Sequence, residues 1–172
     1  MNIKHFISFY QKYGKTLLIT VNGDSMTPSL RKEDKIYIRF DRRKPHIGDI
    51  VLFWAKGEYI LHRIVNLLPN GLYITKGDAN FILDDTLIKE EHIVGFADVN
   101  RKSPLFVSWA ARLSYLQGKV FCHAQRKNNK MWKKLVLIVC VNFQHGYQWI
   151  LNRAEIPSIL SCIEDNNDIS QI

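Results

Sequence analysis

The chain has 172 residues, of which 47% are hydrophobic and 12% aromatic, and a formal net charge of +8. That length suits one compact domain with an extension, and that composition excludes a disordered chain. The positive balance suits an anionic partner such as a membrane surface or a nucleic acid, although solubility alone is served by it equally well.

Ile3, Phe6, Ile7 and Tyr10 recur at helical spacing opposite Lys4, His5, Gln11 and Lys12, which predicts a short amphipathic helix. The first fifteen residues hold too many polar side chains for the apolar core of a secretory signal. The longest apolar run, Leu135–Val141, is far below the ~20 residues that span a bilayer. The expectation is therefore a cytoplasmic protein or one lying peripherally on a membrane. The N-terminal helix and the cationic stretch Arg126–Lys134 would supply contact with anionic lipid.

From Thr16 to about Ala97 the pattern is that of strands. Leu17–Val21, Lys35–Phe40, Asp49–Trp54, Tyr59–Leu67, Gly71–Thr75 and Ile93–Ala97 are rich in β-branched and aromatic residues. Turn-forming groups separate most of them, among them Lys56-Gly57 and Pro69-Asn70-Gly71, where Asn-Gly suits a tight hairpin. The predicted fold class is mostly β, an antiparallel domain over residues 1–100 with a mainly helical extension over 101–172. In that extension a helix is expected over Leu105–Arg126. Leu135–Val141 reads as helix or strand, and a last helix is expected around Glu155–Cys162. Cys122, Cys140 and Cys162 lack metal-ligand spacing and read as buried free thiols, with a disulfide as the alternative.

The β region carries four polar clusters in order: Gly23-Asp24-Ser25-Met26-Thr27-Pro28, Gly48-Asp49, His62-Arg63, and Lys76-Gly77-Asp78-Ala79-Asn80 followed by Asp84-Asp85. Singly, each is ordinary turn or core chemistry. Together they supply a hydroxyl, an imidazole and a carboxylate. A serine hydroxyl needs a base to take its proton, imidazole suits that work near neutrality, and a carboxylate can hold the ring and stabilise its charged form.

Ser25-Met26-Thr27-Pro28, Gly48-Asp49-Ile50-Val51, His62-Arg63-Ile64-Val65 and Thr75-Lys76-Gly77-Asp78-Ala79-Asn80 resemble the successive boxes of the type I signal peptidases, S24/S26-like serine peptidases. The resemblance covers roughly Leu17–Ala97 and leaves the extension out. His62 stands where the usual bacterial enzymes have a Lys, which is similar to the endoplasmic-reticulum, archaeal and sporulation branch. The resemblance implies a signal-peptidase or SOS-repressor-like coiled β fold that cuts after small residues at the end of a signal or leader peptide, without metal or cofactor. It implies Ser25 as nucleophile, His62 as base, and either Asp84 or Asp85 as third member, with Asp78 structural. A peptide lying along a strand edge is expected, with Met26 and Phe53 near a pocket for small side chains.

Two features depart from the family. The usual membrane helix ahead of the nucleophile is replaced by the amphipathic segment, and Gly23 stands where many members have a Ser that helps hold the oxyanion. Self-cleaving repressors share the Gly-Asp-Ser-Met-x-Pro loop but use a Lys base. The other alternative is a weak or inactive member acting as a peptide- or membrane-docking module. No recognition motif accompanies the basic charge, so no nucleic-acid partner is expected.

Overall fold

The structure is a computed structural model that describes residues 7, 9, 10, 12, 13, 15–41, 43–101, 104–127 and 129–157. Its centre is a six-stranded antiparallel sheet of β1 (Thr16–Thr20), β2 (Lys35–Arg39), β3 (Ile50–Ala55), β4 (Glu58–Leu67), β5 (Tyr73–Lys76) and β6 (Ile93–Ala97), in the spatial order β1-β2-β6-β3-β4-β5. The mostly β fold with a helical extension is therefore present.

Hydrophobic patterning explains the order of the strands. β2 alternates, with Ile36 and Ile38 inside and Lys35, Tyr37 and Arg39 outside, as suits a sheet with one wet face. β3 is apolar throughout and sits in the middle. Ile50 and Leu52 join a cluster with Met26, Leu30 and Ile36, while Val51 and Phe53 join Ile64, Tyr73, Ile88 and Phe96 on the other side. Each such side chain contributes roughly 1.5–3 kcal/mol by leaving water. Phe53 consequently lies across the strand from Met26 and is not near it in a shared pocket.

The turns follow their residues. Lys56 and Gly57 both take positive φ, 53° and 88°, which closes the β3–β4 hairpin with the hand that matches strand twist. At Asn70-Gly71, Leu68 N–H donates to Leu72 O at 2.8 Å and Gly71 takes φ 81°. Pairing of β4 with β5 shifts register between Ile64 and Asn66, an irregularity that bends the strand beside the His62-Arg63 pair.

The N-terminal segment is helical at Ile7, Phe9, Tyr10, Lys12 and Tyr13, and Ile7 is buried in the main cluster with Val21 and Met26. Ile3 and Phe6 lie outside the described residues. After β6 comes β7 (Val99–Arg101), then helices α1 (Pro104–Arg126) and α2 (Lys130–Ala154), then β8 (Glu155–Pro157) paired antiparallel to β7. Leu135–Val141 is thus helical, since i to i−4 bonds satisfy its backbone without a partner strand. The helix expected at Glu155–Cys162 is corrected over Glu155–Pro157. That segment is strand, because β7 offers it a ladder and Pro157 cannot donate within a helix but is tolerated at a sheet edge. Residues 158–162 lie outside the described residues. Cys122 and Cys140 are free thiols, and burial pushes the Cys140 thiol up; Cys162 lies outside the described residues.

Candidate active site

Ser25 sits in the turn between β1 and β2, and the loop is held from both sides. Thr27 N–H donates to Asp24 O at 3.1 Å and Ala79 N–H donates to Ser25 O at 2.8 Å, which ties the loop to the Lys76–Asn80 turn. The Thr27–Pro28 peptide is cis. Gly77 is required at this junction, since a Cβ there would lie 2.6 Å from Ser25 O and 2.7 Å from Asn80 Nδ2. No such crowding exists at Gly23, whose missing side chain would enter open space.

His62 and Arg63 are consecutive on β4, and strand alternation sends them to different partners. The Arg63 guanidinium, with no exposed surface, donates from Nε and NH2 to Asp78 at 2.8 and 2.7 Å, from NH1 to Gly48 O at 2.8 Å and from NH2 to Ser29 Oγ at 2.9 Å. Gly48 takes φ +100°, a conformation glycine adopts without a Cβ penalty. This buried pair braces β4, the Ser25 loop and the Lys76–Asn80 turn against one another.

His62 faces the other way. Its Nε2 lies 3.1 Å from Ser25 Oγ and its Nδ1 lies 2.7 Å from Asp84 Oδ2. Thr75 Oγ1 donates to the same Asp84 oxygen at 2.6 Å, and Asp84 N–H donates to Thr75 O at 3.0 Å. The His62 and Asp84 side chains are only 12% and 18% exposed, dry enough for their contact to count and open enough to be reached. A carboxylate only accepts, so Nδ1 carries the hydrogen and Nε2 presents its lone pair to Ser25.

The structure thus brings Ser25, His62 and Asp84 together. Asp85 points away and pairs with Lys56 Nζ at 2.6 Å on the surface, where the ammonium holds the Asp85 carboxyl below its usual range. Asp78 belongs to the Arg63 brace.

A groove of about 600 Å³ runs past Ser25 and His62, lined by Leu17 and Ile19 of β1, Tyr59 and Leu61 of β4, and Met26. A larger cavity of about 850 Å³ shares no lining residue with it and is lined by neither serine nor histidine, so Ser25 and His62 open onto the smaller one.

Sequence reasoning missed a second buried polar cluster behind the site. The Lys76 ammonium, 1% exposed, donates to Ser114 Oγ at 2.5 Å and Gln117 Oε1 at 2.8 Å, both on α1. Gln117 Nε2 donates to Gln144 Oε1 at 3.0 Å, Gln144 donates to Asp78 O, and Tyr147 donates its hydroxyl to Asp78 Oδ1 at 2.8 Å. Phe81 stacks on Phe121 with centroids 5.6 Å apart, and Gly118 of α1 lies against Leu83, next to Asp84. Burial pulls the Lys76 ammonium down to about 8, partly offset by Asp78. The helical spacing of Ser114 with Gln117 and of Gln144 with Tyr147 was the signal available. Thr75, the second donor to Asp84, had none beyond its place before Lys76.

An antiparallel sheet that holds a serine hydroxyl, an imidazole and a carboxylate in one line has the makings of a serine peptidase. The chain belongs to the Peptidase S24-like family, whose model matches residues 4–95. The match ends inside β6 and leaves the α1/α2 hairpin outside it. A search of curated proteins finds no match.

Proposed function

We propose that the protein is a serine endopeptidase that cuts signal or leader peptides, with Ser25 as nucleophile, His62 as general base and Asp84 as the carboxylate that orients it. The observation that carries this reading is the unbroken line from Ser25 Oγ through both His62 ring nitrogens to Asp84. His62 ahead of Arg63, where lysine-base relatives differ, supports the His-base signal-peptidase branch.

Ser25 Oγ attacks the scissile carbonyl carbon as its proton passes to His62 Nε2, and Asp84 stabilises the imidazolium that results. Collapse breaks the C–N bond, with the proton delivered to the leaving amine. Water then attacks the acyl-enzyme by the same route in reverse. The Ser25 backbone N–H serves the oxyanion without a hydroxyl at Gly23, and each missing donor of this kind costs ~100- to 1000-fold in rate. A substrate in extended form fits the groove between β1 and β4, because β1 is an edge strand able to accept one more partner.

Ser25→Ala should abolish both peptide cleavage and labelling by a fluorophosphonate, with the unfolding midpoint unchanged because Ser25 is only half-buried. Wild-type labelling in the alanine variant would remove the nucleophile assignment. One observation favours a second reading, cleavage of the chain's own N-terminal segment, since Ile7 lines the same groove. Self-cleavage in cis proceeds at a rate independent of protein concentration, whereas cleavage in trans does not.

A further inference from the structure

The α1/α2 hairpin carries apolar residues on two sides. Its inward side buries Val107, Ala111, Phe121, Val136 and Leu151 together with Ser114, Gln117 and Gln144, which meet the Lys76–Asp78 turn. Its outward side carries a further apolar stripe on each helix. On α1, Leu105, Trp109, Leu116 and Val120 follow one another at helical spacing, all at least half exposed and Leu105 87% exposed. On α2, Met131, Leu135, Ile138, Val139 and Trp149 do the same, Met131 at 79%. Both helices grip the same turn, so both stripes face away from the sheet. Large apolar side chains exposed in stripes of this kind mark something that covers them.

Charge says what. From Pro104 to Ala154 the chain contains no Asp or Glu, while Arg112, Lys119, Lys134 and Arg153 are exposed among or beside the apolar positions. A second copy would set these cations against their own kind with no carboxylate on the helices to offset them, which like-charge repulsion opposes. Anionic lipid headgroups meet the cations, and the acyl region takes the apolar side chains with tryptophans at the boundary. Among the described residues no helix is long and apolar enough to cross a membrane, so the hairpin would lie in the interface plane.

We propose that the outward face of the α1/α2 hairpin, which takes in Met131 and Lys134 of the basic stretch, is a docking surface for an anionic lipid bilayer, separate from the N-terminal helix. Because the inward side holds the turn that leads to Asp84, docking would put the peptidase groove within a few helix diameters of ~10 Å from the lipid surface. The inference does not depend on the peptidase reading: Ser25→Ala should bind lipid as the wild type does.

Co-sedimentation of the full chain with vesicles of phosphatidylglycerol and phosphatidylcholine, and with phosphatidylcholine alone, tests it. The expected result is binding to the anionic vesicles with a blue shift in tryptophan emission, weakened by salt. Leu116→Glu/Ile138→Glu should reduce the partition coefficient on the order of tenfold or more without altering the unfolding midpoint, since both positions are exposed. Absence of sedimentation overturns the proposal, as does binding indifferent to that double variant. A dimer by light scattering that the same variant dissolves would assign the face to a second copy. Tryptophan emission of the lipid-free monomer that moves to longer wavelength on removal of residues 158–172 would assign it to the chain's own C-terminal residues; either result overturns lipid docking.

Discussion

Asp84→Asn separates charge from geometry at the His62 pair. One carboxylate oxygen, Oδ2, accepts from His62 Nδ1 at 2.7 Å and from the Thr75 hydroxyl at 2.6 Å. An amide oxygen also has two lone pairs and can keep both bonds, so the ring holds its orientation and loses only the negative charge. A hydrogen bond to a charged group is worth roughly 1.5–3 kcal/mol. The imidazolium in the transition state therefore loses up to about 3 kcal/mol, or roughly 10- to 100-fold in turnover. Were the amide to turn its NH2 toward Nδ1, the ring would be held in the wrong tautomer and the loss would deepen to about 10⁴-fold. Single-turnover cleavage of a saturating leader peptide measures this, with Asp85→Asn as the internal control. Asp85 sits in an exposed pair with Lys56, worth little, so its variant should stay within about twofold of wild type. Equal effects at the two positions, or a larger one at Asp85, would refute the assignment of Asp84.

Arg63→Ala should destabilise by about 3–5 kcal/mol, because it leaves Asp78 buried without its cation; denaturant unfolding reads this, and a loss under ~1 kcal/mol would show that the brace is dispensable. Lys76 gives a pH signature. With a folded-state pKa of about 8 against an unfolded value near ~10.4, the unfolded chain binds the extra proton between those limits, so stability rises with pH across that window and falls back as pH drops through 8. The difference between wild type and Lys76→Met isolates this term from the buried Tyr73 and Cys140, which titrate in the opposite sense. The difference should change on the order of 3 kcal/mol over that range, and a flat difference would contradict a desolvated Lys76.

Local chemistry was sufficient for most of the sheet. Alternation in β2, the apolar run of β3 and the positive-φ turns at Lys56-Gly57 and Asn70-Gly71 act over neighbouring residues, and those interactions are written in short windows. The Ser25 loop and His62 were legible for a similar reason, since each box has its own residue types at a strand end. The choice between Asp84 and Asp85 was not legible. They are adjacent, and only the placement of Leu83 against Gly118, Asp84 N–H on Thr75 O and the Thr75 hydroxyl turns the first toward His62 and leaves the second to Lys56.

The segment Glu155–Pro157 shows the same limit, because a three-residue strand exists only when β7, more than fifty positions earlier, comes to pair with it. The hairpin is the clearest case. Helical periodicity located the helix at Pro104–Arg126, but it does not say which stripe turns inward. Apolar residues ordinarily do, yet the Lys76 ammonium and the Asp78 carbonyl present buried hydrogen-bonding groups that Ser114, Gln117 and Gln144 meet, and Tyr147 adds a donor to the Asp78 carboxylate. Unpaired buried polar groups cost more than exposed apolar ones, so tertiary contact turned inward the stripe that sets Ser114, Gln117 and Gln144 among buried apolar residues, and left a second apolar stripe outside.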